Sequence, residues 1–406
     1  MDNTAEHNSL AALAKNVGCN SVPQSWQASW AESLCTYAEG DFSFLEAEYF
    51  AGINKKWLHL EEDALSALIA SGKKIAEQDD LRLLAWHCKN LLFCTKEPPA
   101  DCEHWPLPES AMGKLAPLFY AVVLLSEVPS LALKHGKNGI PAQVTTDTLK
   151  DIDIWLRDYK EKHGVWGLKQ TPWLMNHFKE NLYRVGRLQF QPYQFTGNVR
   201  VFKSLDSGGL CVFSEADVEF RADGQVNGTN DIFDTECVWK PILEITEEAI
   251  TGNPILPDGT IIRKPHRIYA NRWIPALSKG DPILNVHIPA DGRMAYDDCI
   301  ESFNAAAEFF PKYLPHIPFK GFACNSWLLG PRLGRLLPDA SNIARFQHAF
   351  HLYPIQGSDR STFERVFGTK PADLAQAPRN TLLRRVILDY VLSGNHLSSG
   401  AGFRLL

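Results

Sequence analysis

The chain has 406 residues, of which 45% are hydrophobic, 22% charged and 11% aromatic. This composition is ordinary for a globular protein and excludes a disordered, collagen-like or fibrous chain. A formal net charge of −6 leaves no basic excess to neutralise a phosphate backbone, so a primary role in binding nucleic acid is not expected. At about 150 residues per domain, the length predicts two or three domains.

The acidic N-terminus and the scattered cysteines predict a cytoplasmic protein. Asp2 and Glu6 stand where a signal peptide requires positive charge. The longest strongly apolar run, residues 118–125, is far shorter than the ~20 residues that span a bilayer. The nine cysteines are scattered, without CxxC or zinc-finger spacing, so we expect reduced thiols, no metal site and no membrane partner.

The two halves of the chain use different cations. Residues 1–165 contain 13 Lys and 2 Arg with a net charge of −8, whereas residues 166–406 contain 9 Lys and 17 Arg with a net charge of +2. Lysine is a solubilising charge on helices, and arginine presents a planar fork suited to carboxylate and phosphate. The shift predicts a helical N-terminal domain over 1–165 and a ligand-handling domain over 166–406.

Apolar residues in the first half recur at helical spacing and predict three helices. The positions are Leu65, Leu68, Ile69 and Ile75; Leu81, Leu84, Cys88, Leu91 and Leu92; and Leu149, Ile152, Leu156 and Tyr159. The third helix is expected to end near Gly164.

The second half alternates apolar and polar residues, which predicts strands. Residues 199–202 and 210–213 flank Ser-Gly-Gly and predict a hairpin, and a second hairpin is expected to join 272–277 to 283–288. Helices then alternate with strands, with a helix over 296–310 between strands 283–288 and 321–328. The pattern predicts an α+β fold: an all-helical domain followed by a mixed-sheet domain.

The segment 283–293 is the strongest candidate for chemistry. Asn285 and His287 fall on one face of the strand, and Pro289 ends the pairing because it cannot donate to a ladder. A loop of Ala-Asp-Gly-Arg then leads into a helix, whose N-terminal amides could hold an anion, although an ordinary capped loop is the alternative.

Individual side chains on this strand and on strand 321–328 are candidates for the chemistry. Histidine has an unperturbed pKa near neutrality, so His287 is the best candidate for acid–base work, with a structural hydrogen bond as the alternative. Asn325 and Ser326 interrupt an apolar strand, which a cleft would explain. A further alternative is a thiol-dependent hydrolase or transferase, in which Cys324 is the nucleophile that forms an acyl-enzyme and His287 the base, although no adjacent cation lowers the pKa of this thiol. The signatures of Rossmann, P-loop, zincin and α/β-hydrolase enzymes are absent.

Together these segments resemble bacterial acyltransferase-domain proteins, which join a helical N-acyltransferase N-terminal domain to a GNAT-like C-terminal domain. The resemblance is carried by residues 187–190, 286–292, 324–329, 341–343 and 346–347. It implies a sheet whose central strands, 283–288 and 321–328, splay apart to admit the pantetheine arm of an acyl thioester.

The resemblance also implies roles for individual residues in acyl transfer to an amine. His287 would be the base, Asn325 or Ser326 would orient the acceptor or the leaving thiolate, and Tyr296 would be an acid. The expected donor-binding residues are Ile288, Ala290, Asp291, Gly292 and Arg293.

The donor and the activity stay open at this point. The loop lacks the Gly-rich pattern usual in GNAT enzymes, so the co-substrate is expected to be acyl-CoA or an acyl-carrier protein, with no tightly bound cofactor. The alternative function is a catalytically silent GNAT-like module that binds a metabolite or a partner protein.

Overall fold

The computed structural model describes residues 9–406 and divides them into two compact units. The first unit runs to Val185 and includes Pro289–Asp291, and the second comprises Gly186–Ile288 and Gly292–Leu406. The boundary predicted at residue 165 lies about twenty residues before this division and stays a prediction about domain organisation.

Helices make up almost all of the first unit. Within residues 9–185 the α-helices are α1 (Leu10–Val17), α2 (Gln24–Tyr37), α3 (Ala47–Ile53), α4 (Glu62–Ala76), α5 (Asp79–Phe93), α6 (Glu109–Met112), α7 (Phe119–Leu125), α8 (Val128–Lys137), α9 (Ala142–His163) and α10 (Thr171–Phe178). A short strand, β1 (Tyr183–Val185), follows them. Their apolar faces close around one core, in which Trp26, Phe50 and Phe119 are fully buried.

The three helices predicted from apolar spacing are confirmed as α4, α5 and α9. Each buries the predicted stripe, for example Leu68 and Ile75 on α4. The chain leaves α9 at Gly164, whose φ of 73° is the left-handed conformation that glycine adopts without strain. The helical spacing of apolar residues predicted these helices correctly because each presents one apolar face to the core.

The stretch Glu109–Lys137 is long and apolar enough to cross a membrane, judged by length and composition alone. It is not one regular helix, since a 3₁₀ segment containing Pro117 separates α6 from α7. Of its most apolar window, 67% is buried inside the protein. The core helix of a globular unit has the same properties, so this stretch does not indicate a membrane span.

Five strands of a mixed sheet form the centre of the second unit. They are β2 (Leu188–Gln194), β9 (Pro282–His287), β10 (Gly321–Ser326), β12 (Gly400–Leu405) and β11 (His351–Tyr353), in their order across the sheet. β9 and β10 are parallel, and the other neighbours are antiparallel. This arrangement, after the helical first unit, confirms the expected α+β class.

Five α-helices in the described part of the second unit accompany this sheet. They are α11 (Tyr296–Tyr313), α12 (Pro331–Leu336), α13 (Asn342–His348), α14 (Arg360–Phe367) and α15 (Leu382–Leu392). α11 connects β9 to β10 and packs on one face of the sheet, where the ring of Phe303 lies 6.1 Å from Phe190 and 5.0 Å from Phe322. Aromatic side chains in edge-on and tilted contact thus cover that face and leave the polar residues of β2 and β9 on the other.

Two small antiparallel sheets complete the second unit. One has the order β4 (Leu210–Ser214), β3 (Val199–Ser204), β8 (Trp273–Leu277), and the other β5 (Leu243–Ile245), β6 (Ala249–Gly252), β7 (His266–Tyr269). The predicted hairpin of β3 and β4 is confirmed. The predicted hairpin of β8 and β9 is wrong, because β8 pairs with β3 whereas β9 pairs with β2 and β10.

The segment between β8 and β9 explains that error. Gly280 has a φ of 90°, and its amide donates to the carbonyl of Phe195, whose own amide donates to the carbonyl of Asp281. The chain therefore turns onto the end of β2 and changes sheet. A local turn pattern predicts the bend but not the partner that each strand finds afterwards.

Candidate functional site

The central sheet opens between β9 and β10. Their parallel pairing covers only two residue pairs, Leu284 with Phe322 and Asn285 with Ala323. β9 nevertheless continues to His287, where it is still paired with β2, and β10 continues to Ser326, where it is still paired with β12. The two strands thus diverge at their carboxyl ends, as the resemblance implied, and no longer pair with each other across the gap between them.

A row of polar side chains lies beside this gap. In the antiparallel ladder Gln189 stands opposite His287, and Gln191 stands opposite Asn285. Directly opposed residues project to the same face of a sheet, so all four share one face, away from the aromatic cluster on α11. Three of the four, Gln191, Asn285 and His287, hold one another in place through hydrogen bonds.

The imidazole of His287 is half-buried and bonded to this row. Its Nε2 lies 3.1 Å from Oε1 of Gln191 and 3.2 Å from Nδ2 of Asn285. One ring nitrogen either donates to the Gln191 oxygen or accepts from the Asn285 amide, so the tautomer selects between these two bonds. Two fixed amides therefore orient a ring that can exchange a proton with water or substrate.

The two polar residues at the end of β10 differ in environment. Asn325 is exposed, and the register that pairs Asn285 with Ala323 puts Asn325 on the same face as His287. Ser326 follows on the alternate face, and its Oγ accepts the amide hydrogen of Leu328 at 3.2 Å to cap a 3₁₀ turn. The structure thus brings Asn325 toward the His287 face, whereas the Ser326 hydroxyl already has a structural bond.

In the loop after β9, two backbone carbonyls of the second unit accept hydrogen bonds from an arginine side chain. The guanidinium of Arg187 donates to the carbonyl oxygens of Gly292, at 3.0 Å, and Arg293, at 3.2 Å. Ile288 is half-buried, and Ala290, Gly292 and Arg293 are exposed. With the carbonyls held by an arginine, the side chain of Arg293 extends into solvent and is available to an anion.

Tyr296 begins α11, directly after this loop. The guanidinium of Arg345 stacks over its ring at 4.1 Å and also bonds Asp297 at 2.9 Å. Asp297 and Asp298 occupy the first helical turn and already complement the helix dipole. The Tyr296 ring is thus held in place at the helix start by Arg345.

Asp291 is anchored within the first unit. Arg184 bonds its carboxylate with two nitrogens, at 2.8 and 3.2 Å, and Nζ of Lys150 lies 3.3 Å away. Burial raises the pKa of the Asp291 carboxyl, but the bonds and charges of these two cations outweigh burial and hold the pKa below its usual value. The side chain is therefore an ionised anchor for the loop.

Cys324 offers no reactive thiolate. It is buried on the face of β10 opposite Asn325, and burial raises the pKa of its thiol to about 12. A thiol with such a pKa stays protonated near neutrality and is a poor nucleophile. The structure gives no support to the alternative in which Cys324 forms an acyl-enzyme.

Reasoning from the sequence assigned no role to Gln189 and Gln191. Both alternate with the apolar residues Leu188 and Phe190, which predicts a half-buried strand with its polar side in solvent. In the structure Gln189 is only 1% exposed. The signal that could have found them is the one used for His287, a polar position that alternates with apolar residues on a strand, here the neighbour of β9.

Comparison with known proteins agrees with this geometry. Residues 182–404 match the family model of the GNAT-like C-terminal domain, and residues 56–179 match that of the N-acyltransferase N-terminal domain. The first match alone covers more than half of the chain. The chain therefore belongs to the family with a GNAT-like C-terminal domain, and the class its two domains define is that of N-acyltransferases.

Solved structures show the same fold over nearly the whole chain. Those matched include an acyltransferase in complex with decanoyl-CoA (17% identity, TM-score 0.62) and an acyltransferase in complex with decanoyl-CoA and teicoplanin (18% identity, TM-score 0.61). Each match covers 98% of this chain and 99% of the other. No curated protein matches the chain.

Proposed function

We propose that the protein transfers an acyl group from acyl-CoA directly to an amine, with the reacting thioester in the gap between β9 and β10. The single observation that carries this proposal is the early end of the β9–β10 pairing, after Asn285 and Ala323. Unpaired backbone at a strand end can bond a pantetheine amide, and His287 stands at the same place. The acyl-CoA ligands of the similar acyltransferases support CoA as the donor carrier.

The proposed reaction is one displacement at the thioester carbonyl. The amine nitrogen attacks the carbonyl carbon and forms the C–N bond, while His287, or a water that it positions, accepts the amine proton. The C–S bond then breaks, and the leaving thiolate takes a proton from the Tyr296 hydroxyl or from water. Because both substrates must be held in near-attack geometry, fixed side chains around the gap contribute directly to rate.

The other predicted residues take positioning and binding roles in this scheme. Asn325, on the face of His287, orients the acceptor amine, and Ser326 lies beside the leaving thiolate. We assign the CoA phosphates to the side chain of Arg293 and the backbone of Ile288 and Gly292, and Ala290 and Asp291 remain predicted donor-binding residues. An acyl-carrier protein, which presents the same pantetheine arm, is the other donor class that this gap would accept.

We place the reaction in the cytoplasm, where CoA thioesters are available. All nine cysteines are free thiols, which fits a reducing compartment. One of the similar acyltransferase structures contains teicoplanin together with decanoyl-CoA.

Calorimetry combined with a turnover assay tests the proposal. We expect CoA and decanoyl-CoA to give a binding isotherm, and a panel of amines with decanoyl-CoA to give an amide product by mass spectrometry. Binding without turnover on any amine would favour the silent module. Absence of heat at millimolar CoA, or a protein mass increased by an acyl group, would contradict direct transfer from CoA.

A further inference from the structure

One buried amide beside the gap has no hydrogen-bond partner for its nitrogen. Gln189 is 1% exposed, and its Nε2 finds no acceptor anywhere in residues 9–406. Burying a donor without an acceptor destabilises a fold, and native proteins satisfy the great majority of such groups. An orphan donor in a binding cleft is therefore a candidate to meet a ligand.

The position of this amide relative to His287 indicates which ligand atom it meets. Gln189 and His287 are directly opposed in the β2–β9 ladder and project to the same face. Opposed side chains have Cβ atoms about 5 Å apart, so both can reach one reacting centre. A thioester carbonyl offers an oxygen acceptor beside the carbon that the amine attacks.

Gln191, the next glutamine on β2, is not an unsatisfied group of this kind. Oε1 of Gln191 lies 3.1 Å from Nε2 of His287, so its amide already orients the imidazole. Gln347, the other buried glutamine of the second unit, is also satisfied, because its Nε2 donates to the carbonyls of Leu328, at 2.6 Å, and Gly330, at 3.0 Å. Gln189 thus differs from both by lacking an acceptor.

We propose that Gln189 donates its Nε2–H to the carbonyl oxygen of the bound acyl thioester and stabilises the negative charge that forms there during attack. The inference rests on the proposed function and adds a side-chain donor to it. Such a donor acts chiefly on kcat, because its bond strengthens as the oxygen becomes an oxyanion. The fold keeps an unsatisfied amide in the free protein, and the bound thioester satisfies it.

The test uses Gln189→Met, which keeps the length of the side chain and removes the amide. We expect kcat with decanoyl-CoA and an amine acceptor to fall about 10²-fold or more, with a much smaller change in KM. We expect the melting temperature of the free variant to rise by about 2–4 °C, because no unsatisfied donor remains. Gln189→Glu keeps an acceptor but loses the donor, so its kcat should fall at least as far.

Gln347→Met is the matched control. It removes a satisfied glutamine and leaves two carbonyls unpaired, so we expect its melting temperature to fall while the kcat of the folded enzyme stays within about twofold. Opposite signs of the two melting shifts identify Gln189 as the unsatisfied one. If Gln189→Met lowers the melting temperature as much as Gln347→Met does, then Gln189 is a structural glutamine whose amide is already satisfied, and the inference is wrong.

The outcomes separate this inference from the proposed function. An active wild-type enzyme with unchanged kcat in Gln189→Met would overturn the inference and leave the transferase intact. A wild-type protein with neither CoA binding nor turnover would instead overturn the proposed function, and the inference with it. An equal loss in kcat and kcat/KM, together with a stable variant, supports a bond made in the transition state.

Discussion

Two histidines of the first unit lie inside the helical core, whereas His287 of the second unit stands in a row of amides where two strands diverge. Nδ1 of His87 lies 2.8 Å from Oγ of Ser33, and Nδ1 of His135 lies 2.9 Å from Oγ1 of Thr145. The His87 ring contacts Trp26 and Trp30 edge-on, and the His135 ring stacks on Tyr183.

Burial lowers the pKa of both core histidines to about 4, so they stay neutral at physiological pH. A neutral, buried imidazole packs like an aromatic side chain and performs no proton transfer with solvent. His287 has the same chemistry but a half-buried position beside a gap. The comparison teaches that the packing around an imidazole, and not the residue type, separates a structural histidine from a candidate base.

The largest expected effect is the loss of activity in His287→Gln. A general base contributes about 10²- to 10⁴-fold to rate, so we expect kcat/KM with decanoyl-CoA and an amine to fall by that factor at neutral pH. The melting temperature should change little, because the side chain is only half-buried. Steady-state kinetics and thermal unfolding of the same preparation measure both quantities.

His266→Gln serves as the control for that variant. His266 is an exposed residue at the start of β7, and its replacement should leave both activity and stability unchanged. If His287→Gln retains wild-type turnover, His287 has no part in proton transfer and the comparison between the two units fails.

The second expected effect is a loss of stability of the first unit in acid. The folded pKa of His87 is about 4 and the unfolded value is about 6.5, so below pH 6.5 the unfolded chain binds a proton that the folded chain refuses. The contribution of neutral His87 to the free energy of unfolding is fully present above pH 6.5. It falls by about 3 kcal/mol as the pH drops to about 4 and below.

Denaturant titrations of wild type and His87→Asn between pH 7.5 and 4.5 measure this loss. Asparagine keeps a donor near the Ser33 hydroxyl and cannot titrate, so the variant should lose less stability on acidification than the wild type. His104→Asn, at an exposed position, should follow the wild type. Parallel pH profiles for His87→Asn and wild type would show that His87 does not titrate on unfolding.

The smallest expected effect concerns Arg293 in the loop after β9. A bond to a charged group contributes about 1.5 kcal/mol, so Arg293→Ala should raise KM for acetyl-CoA about tenfold. Acetyl-pantetheine lacks the phosphates, and its KM should not change. Arg360→Ala, which removes an exposed arginine of α14, is the matched control. An equal rise in KM for both donors would remove Arg293 from phosphate binding.

Local patterns predicted the candidate site in part. Alternation in 283–288 put Asn285 and His287 on one face, and the proline after them ended the strand, because both properties depend only on neighbours in the sequence. The alternation of Gln189 with Leu188 and Phe190 predicts only a half-buried strand and not that Gln189 itself is buried. Its burial depends on β9, almost a hundred residues away, and no local pattern contains that contact.

The sequence by itself determined the helices of the first unit, the strand–loop–helix–strand order around His287 and the family to which the chain belongs, since periodicity and motifs are written in adjacent residues. Only the tertiary structure decided that β8 and β9 lie in different sheets, that β9 parts from β10 after two residue pairs, and that Gln189 stands opposite His287. Pairing between distant strands follows from the packing of whole faces against one another, and this is settled only when the entire chain has folded.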